Sequence, residues 1–189
     1  MSHIISSPYI GYSTGGGFVA IDVTIEKVWR HRKSTCIVLI NHEMGARNGY
    51  CSVSMGHPFY KKKYSGDPVS DLKHDIDQVI SAHGGITYSG DLEWALDLDH
   101  TLPKHYWWFG FDCLHANDAQ DPELIKNPMM KKIILESEQR FSSLNTSRVI
   151  RDLEYVESEC NKLAEDLAKY VFNSVDFILD RNHSGLHAV

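Results

Sequence analysis

The four cysteines of this 189-residue sequence, Cys36, Cys51, Cys113 and Cys160, offer no close pair. A zinc knuckle or a redox dithiol needs such spacing, so the sequence points to free thiols in a reducing compartment. Basic charge is short as well: 19 Lys and Arg against 25 Asp and Glu leave a net charge of −6 with histidine neutral. That balance excludes a general nucleic-acid surface, which needs excess cations, but leaves open a small anion held by a local cluster. No apolar run approaches the roughly eighteen residues of a membrane span. The opening stretch Met1-Ser2-His3-Ile4-Ile5-Ser6-Ser7-Pro8 lacks the basic-then-apolar order of a secretion signal. The expected location is therefore the cytoplasm. Repeats and low-complexity segments are absent too, and the expectation is a single globular domain over 1–189 with a frayed tail near 181–189.

Histidine, by contrast, is abundant at 11 residues, and several stand beside Gly, Pro or Asp, where turns form. The stretch around which the chain is organised is Tyr106-Trp107-Trp108-Phe109-Gly110-Phe111-Asp112-Cys113-Leu114-His115-Ala116-Asn117-Asp118. It begins as an aromatic run and ends in carboxylates, a thiol and an imidazole, the pattern of a buried strand delivering polar groups to its own end. Alternation along a strand puts Trp107, Phe109 and Phe111 on one face and Trp108 and Gly110 on the other.

Taken in order, Gly15-Gly16-Gly17 reads as a flexible turn, since no helix with a Lys-Ser or Lys-Thr signature follows to make a phosphate loop. Phe18–Ile25 reads as a strand that the basic patch Trp29–Lys33 ends, and Thr35–Ile40 as a strand buried on both faces. Gly45–Val53 reads as a turn with the dipeptide Asn48-Gly49 feeding a short third strand in an antiparallel meander. A helix is expected from Asp67-Pro68, with Val69, Leu72, Ile76, Val79 and Ile80 at helical spacing and His83-Gly84-Gly85 closing it. Ile86–Tyr88 reads as a short strand, Asp91–Asp99 as a solvated segment, Asp118–Met130 as a long loop and Lys131–Leu144 as a helix. Val149, Leu153, Val156, Cys160, Leu163, Leu167 and Tyr170 recur at intervals of four and three, the stripe of a long amphipathic helix lying across a sheet. The fold class these elements define is α+β, a mostly antiparallel sheet covered by the long C-terminal helix and the shorter one near residues 68–82.

Three turns each present a histidine: Gly56-His57-Pro58, His83-Gly84-Gly85 and the Asp112–Asp118 segment. The candidate catalytic residues are His57, His83, Asp112, His115 and Asp118, because neutral imidazoles with carboxylates serve acid–base work. Of these, His83, Asp112, His115 and Asp118 are also candidate ligands for a divalent metal ion. Lys61, in the run Lys61-Lys62-Lys63, would draw in an anion, while Thr87, Tyr88, Trp107 and Trp108 are candidate substrate contacts, the tryptophans as a wall for a nucleobase. Each has a blander alternative: His57 bonding a loop backbone, His83 capping a helix, Trp107 and Trp108 in the core. Cys113 is an alternative nucleophile, ranked below the His and Asp set because it stands beside Asp112 in an apolar run and not in the electropositive setting such a thiol needs.

Three motifs, Gly49-Tyr50-Cys51-Ser52-Val53 with Gly56-His57-Pro58, His83-Gly84-Gly85-Ile86-Thr87-Tyr88-Ser89-Gly90, and Trp107 through Asp118, together resemble a family of small phage-encoded proteins. Glu154-Tyr155-Val156 and Glu159-Cys160 resemble its C-terminal pattern, so the likeness spans about residues 45–170. It implies a viral product made in a bacterial cytosol and assigns no catalytic role. Three functions stay open on residue chemistry: a hydrolase acting on a phosphate-containing, nucleotide-like small molecule, a protein that sequesters a nucleotide signal against host defence, and a protein that masks a host factor. A homodimer is compatible with each.

Overall fold

The computed structural model describes residues 6–12, 18–66, 74–92, 99, 102, 104–143 and 148–183, with side chains described within 22–171. Its centre is a six-stranded antiparallel sheet formed by β1 (Ser6–Tyr12), β2 (Phe18–His31), β3 (Ser34–Asn41), β4 (Ala46–Val53), β5 (Tyr88–Gly90) and β6 (Trp107–Asp112). The spatial order is β1-β2-β3-β4-β6-β5, so four consecutive strands form a meander and the aromatic strand β6 is inserted beside β4. A separate parallel pair joins β7 (Asp118–Ala119) to β8 (Val149–Ile150). Helix α1 spans Pro128–Ser143 and α2 spans Leu153–His183. The α+β class expected from the sequence is thus the observed one.

The sheet is covered on one face by α2. Val156, Cys160, Leu163, Ala164 and Leu167 are all buried against Cys36, Val38, Cys51, Val53, Phe109 and Phe111. Each fully buried Val or Leu contributes about 1.5–3 kcal/mol of gross transfer free energy, which makes this helix the main clamp on the sheet. Asp152 begins it by accepting the Tyr155 N–H on Oδ1 at 2.8 Å, an N-cap bond that satisfies one orphan donor of the first turn. On the opposite face Ile37, Leu39, Tyr50 and Trp108 pack with Leu92 and Leu102. The strand β3 is therefore buried on both sides, and β6 divides its aromatic side chains between the faces as the alternation predicts.

Several boundaries differ from the sequence reading for physical reasons. The basic patch does not end β2, because Lys27, Trp29 and His31 face α2 and bond Glu157 at 2.5 Å, Asn161 at 2.9 Å and Glu165 at 3.1 Å. The strand turns only at Arg32, whose φ is +54°. Asn48-Gly49 is not a turn but lies inside β4, the hairpin being made at 42–45 with Gly45 at φ +61°. Gly49 is there because a Cβ would stand 2.5 Å from Phe111 Cζ and 2.6 Å from Cys160 Sγ.

Of the helix expected from Asp67, residues 67–73 lie outside the described set, and the remainder is a single 3-10 turn, Ile76–Gln78. The turn is closed locally by Gln78 N–H to Asp75 O at 3.1 Å and by Val79 and Ile80 N–H to Ile76 O at 3.0 Å. Asp77 N–H is drawn outside it to Tyr64 O at 3.0 Å, and Gly66 N–H donates to Asp75 Oδ2 at 3.1 Å. Ile76 and Ile80 are buried all the same, so the apolar spacing is satisfied by a loop. The shorter helix of the fold is therefore not the one expected near 68–82 but α1, where Ile134 alone is buried. Gly15-Gly16-Gly17, most of Asp91–Asp99 and the tail beyond His183 lie outside the described residues. Among the described residues no helix is long and apolar enough to cross a membrane.

Candidate active site

Asp112 closes β6 and its Oδ1 accepts the Leu114 N–H at 3.1 Å, which turns the chain back on itself. Asp118 N–H then donates to His115 O at 2.9 Å, so the three-residue spacing of Asp112, His115 and Asp118 becomes one compact loop. Asp118 opens β7 and pairs with Val149 of β8, which brings in Arg151, just before α2, and Tyr155, in its first turn. From the other side comes His83, on the turn closed by Gly85 N–H to Ala82 O at 3.0 Å. Arg47, held by Glu26 through two hydrogen bonds of 2.6 and 2.8 Å, reaches this corner by donating Nη1–H to Arg151 O at 3.5 Å.

The centre of the site is the Asp118 carboxylate, 1 % exposed. Its Oδ1 accepts Arg151 Nε–H at 2.7 Å, while its Oδ2 faces His83 Nε2 at 2.7 Å and accepts the His115 backbone N–H at 2.9 Å. Burial alone would raise this carboxyl, but the hydrogen bonds from His83, Arg151 and His115 outweigh it and hold it below the ordinary carboxylate range. An ionised carboxylate only accepts, so His83 donates Nε2–H to it, and in the neutral ring Nδ1 is then the acceptor. That nitrogen stands 2.9 Å from the Tyr155 hydroxyl, which therefore donates to it. Burial, then the charge of Glu159, pushes the Tyr155 phenol up and outweighs the Arg151 guanidinium, so the donor keeps its proton. Arg151 lies over the tyrosine ring, its Cζ 4.6 Å from the centroid. Tyr155, His83 and Asp118 thus form a hydroxyl–imidazole–carboxylate chain, with a guanidinium fixed beside the hydroxyl-bearing ring.

The rings of His115 and His83 have centroids 5.2 Å apart. His115 Nε2 is shielded from solvent and has no hydrogen-bond partner among the described residues, Asp112 Oδ1 being 3.9 Å away. Gly84 makes room for this ring: its φ is +65° and a Cβ there would fall 1.8 Å from Nε2. Cys113 is 2 % exposed, and burial, with Asp118 and Asp112 adding to it, pushes its thiol up to about 12. It is no thiolate at neutral pH. The proposed metal set does not fit either. Both Asp118 oxygens are taken by nitrogen donors, and no group of three or more His, Cys, Asp or Glu among the described residues is arranged to hold a metal ion.

Of the sequence candidates, the structure brings His83, Asp112, His115 and Asp118 together and leaves the others elsewhere. His57 packs against Leu167 of α2, about 18 Å from Tyr155 at 1.5 Å per helical residue. Its Nε2 stands 3.0 Å from Leu167 O and its Nδ1 accepts the Phe59 N–H at 3.0 Å, so it ties the loop to the helix as a neutral ring. Lys61 shares that loop, with φ +58° and its ammonium 5.7 Å from the Tyr60 ring. Trp107 donates Nε1–H to Lys62 O at 2.8 Å, and Trp108 is buried on the far face of the sheet. Tyr88 packs edge-on to Tyr50 with centroids 5.4 Å apart, and Thr87 is an exposed residue whose N–H donates to Gly110 O.

Desolvation holds the His57 imidazole below its ordinary value, outweighing the bond to Leu167 O. Below about pH 6.5 the unfolded chain takes up a proton that the folded chain refuses, so this residue's stabilisation is complete above that pH and declines beneath it. His57→Gln is expected to cost about 1–3 kcal/mol at pH 7.5, and clearly less at pH 5.5. Urea midpoints at the two pH values test this; an equal difference at both would mean that His57 does not stay neutral in the fold.

Arg151 and Tyr155 are the site residues that sequence reasoning missed. Tyr155 lies one position before Val156, outside the apolar stripe, and Arg151 is one of a scatter of cations. The β7–β8 pairing is what brings Arg151 to Asp118 and Tyr155 to His83. In comparisons with known proteins, no protein-family model, no curated protein and no solved structure matches this chain.

Proposed function

We propose that this cluster is the acid–base site of a hydrolase acting on a phosphate-containing, nucleotide-like small molecule in the cytosol of a phage-infected bacterium. The observation that carries the reading is the buried Asp118 carboxylate, which holds His83 and Arg151 at once. Asp118 fixes the imidazole tautomer and stabilises the imidazolium formed when His83 takes a proton, and His83 Nδ1 is the base. Arg151 spends Nε on Asp118, and neither Nη has an acceptor among the described residues, which leaves a planar donor pair for phosphoryl oxygens. With Trp107 and Trp108 in the core, the site residues address the phosphate and not the base.

Purified protein incubated with linear and cyclic nucleotides and with bis(p-nitrophenyl) phosphate, with and without EDTA, and followed by mass spectrometry, tests the reading. Product masses are expected that persist in EDTA and fall at least about a thousandfold in folded His83→Ala. Intact nucleotide recovered only on denaturing the protein would replace the hydrolase with the sequestering protein. Neither product nor retained ligand would leave the cluster as a structural bond between loops.

A further inference from the structure

We infer that Tyr155 is the nucleophile of this site and that its substrate is a phosphodiester, attacked to give a phosphotyrosyl ester; the inference rests on the hydrolase reading above. A nucleophile must be within hydrogen-bond reach of a base that is itself oriented by a third group. Tyr155 Oη stands 2.9 Å from His83 Nδ1, and His83 Nε2 stands 2.7 Å from Asp118 Oδ2. Neither Cys113 nor any other side chain of the cluster is so placed. Water at His83 Nδ1 would have to displace the tyrosine hydroxyl from that bond.

The Arg151 guanidinium, over the Tyr155 ring at 4.6 Å and anchored through Nε, keeps its remaining N–H groups beside the ring that bears the attacking oxygen. Its charge is already matched by Asp118, and Asp112 adds a second carboxylate near His115. A singly charged diester suits this balance better than a doubly charged monoester.

The step balances as follows. Tyr155 Oη bonds to phosphorus as its proton passes to His83 Nδ1, and the bond from phosphorus to one alkoxy or aryloxy oxygen breaks, with the electron pair leaving on that oxygen. The imidazolium, held by Asp118, gives its proton to an alkoxide; a p-nitrophenolate departs without it, and that proton goes to solvent. Water then attacks phosphorus, His83 Nδ1 takes its proton, and the phosphorus–tyrosine bond breaks. The tyrosine oxygen recovers a proton from His83, leaving a phosphate monoester and an alcohol or phenol.

The test uses the full-length protein with bis(p-nitrophenyl) phosphate, p-nitrophenolate release being followed by absorbance and the protein acid-quenched for intact mass and peptide mapping. The expected result is one p-nitrophenylphosphoryl group on Tyr155, with release at least about a thousandfold slower in Tyr155→Phe, which keeps the ring under Arg151. The diester is expected to be cleaved in preference to p-nitrophenyl phosphate. Full release by folded Tyr155→Phe, with no adduct on the wild-type protein, would overturn the nucleophile and leave an acid–base hydrolase. Preference for the monoester would overturn the substrate class. No release by the wild-type protein would overturn both this inference and the hydrolase reading.

Discussion

Asp118→Ala is expected to destabilise the protein by about 3 kcal/mol, the lower end of the cost of removing one partner from a buried ionic group. The carboxylate is essentially inaccessible and its two oxygens satisfy three donors, on Arg151, His83 and the His115 backbone. Alanine leaves those donors facing a small apolar void. The lower end applies because the His83 and Arg151 side chains keep 11 % and 20 % of their surface, so water can reach part of what is unpaired. Asp118→Asn preserves the volume but turns its amide N–H groups toward one set of donors, and is expected to lose less stability than alanine.

The pH dependence of this loss has a definite sign. The carboxyl is held below its ordinary value in the fold, so its contribution is present above about pH 4 and is lost as pH falls further toward the folded value. Urea denaturation of wild type and Asp118→Ala should therefore differ by about 3 kcal/mol at pH 7 and converge in acid. A difference below about 1 kcal/mol at pH 7 would mean that the three donors find other partners, and the carboxylate could not then be the fixed centre of the site.

What the sequence made legible were features with a short period. The four-and-three recurrence through Val156, Cys160, Leu163 and Leu167 gave the covering face of α2, and strand alternation separated Phe109 and Phe111 from Trp108. The loop from Asp112 to Asp118 was legible for the same reason, its spacing of three being closed by bonds within the segment. Partners set by distant pairing were not legible. Asp118 meets Arg151 only because β7 pairs with β8, and His83 and His57 carry similar local signals of a histidine beside glycine. Their fates diverge on what each nitrogen finds: Asp118 and Tyr155 for His83, a helix carbonyl and a backbone N–H for His57. Asn48-Gly49 misleads because a turn dipeptide and a strand glycine required by a crossing side chain look identical in one dimension.

That glycine supplies the second large effect. Gly49→Ala is expected to cost about 3 kcal/mol, although local reasoning predicts the opposite sign. Its φ is not in the left-handed region, so alanine would ordinarily stabilise by about 0.4–1 kcal/mol through the unfolded chain. Packing decides the outcome: the added carbon falls 2.5 Å from Phe111 Cζ, 2.6 Å from Phe111 Cε1 and 2.6 Å from Cys160 Sγ. The ring and the thiol are buried between the sheet and α2, where neither can swing away without opening the core. If the ring is the obstacle, the same substitution in a Phe111→Leu background should cost at least about 1 kcal/mol less, a coupling a double-mutant cycle resolves. Gly56→Ala, with nothing within 4 Å of its Cβ, is the control and should be close to neutral. Because Asn48 pairs with Asp112 and Gly49 with Phe111, a β4 pushed away by the new methyl also shifts the end of β6. Gly49→Ala should therefore loosen the Asp112–Asp118 loop as well as the core. Equal costs in the two backgrounds would show that Phe111 yields freely, and that the close approach of α2 to β4 at Cys160 sets the need for glycine.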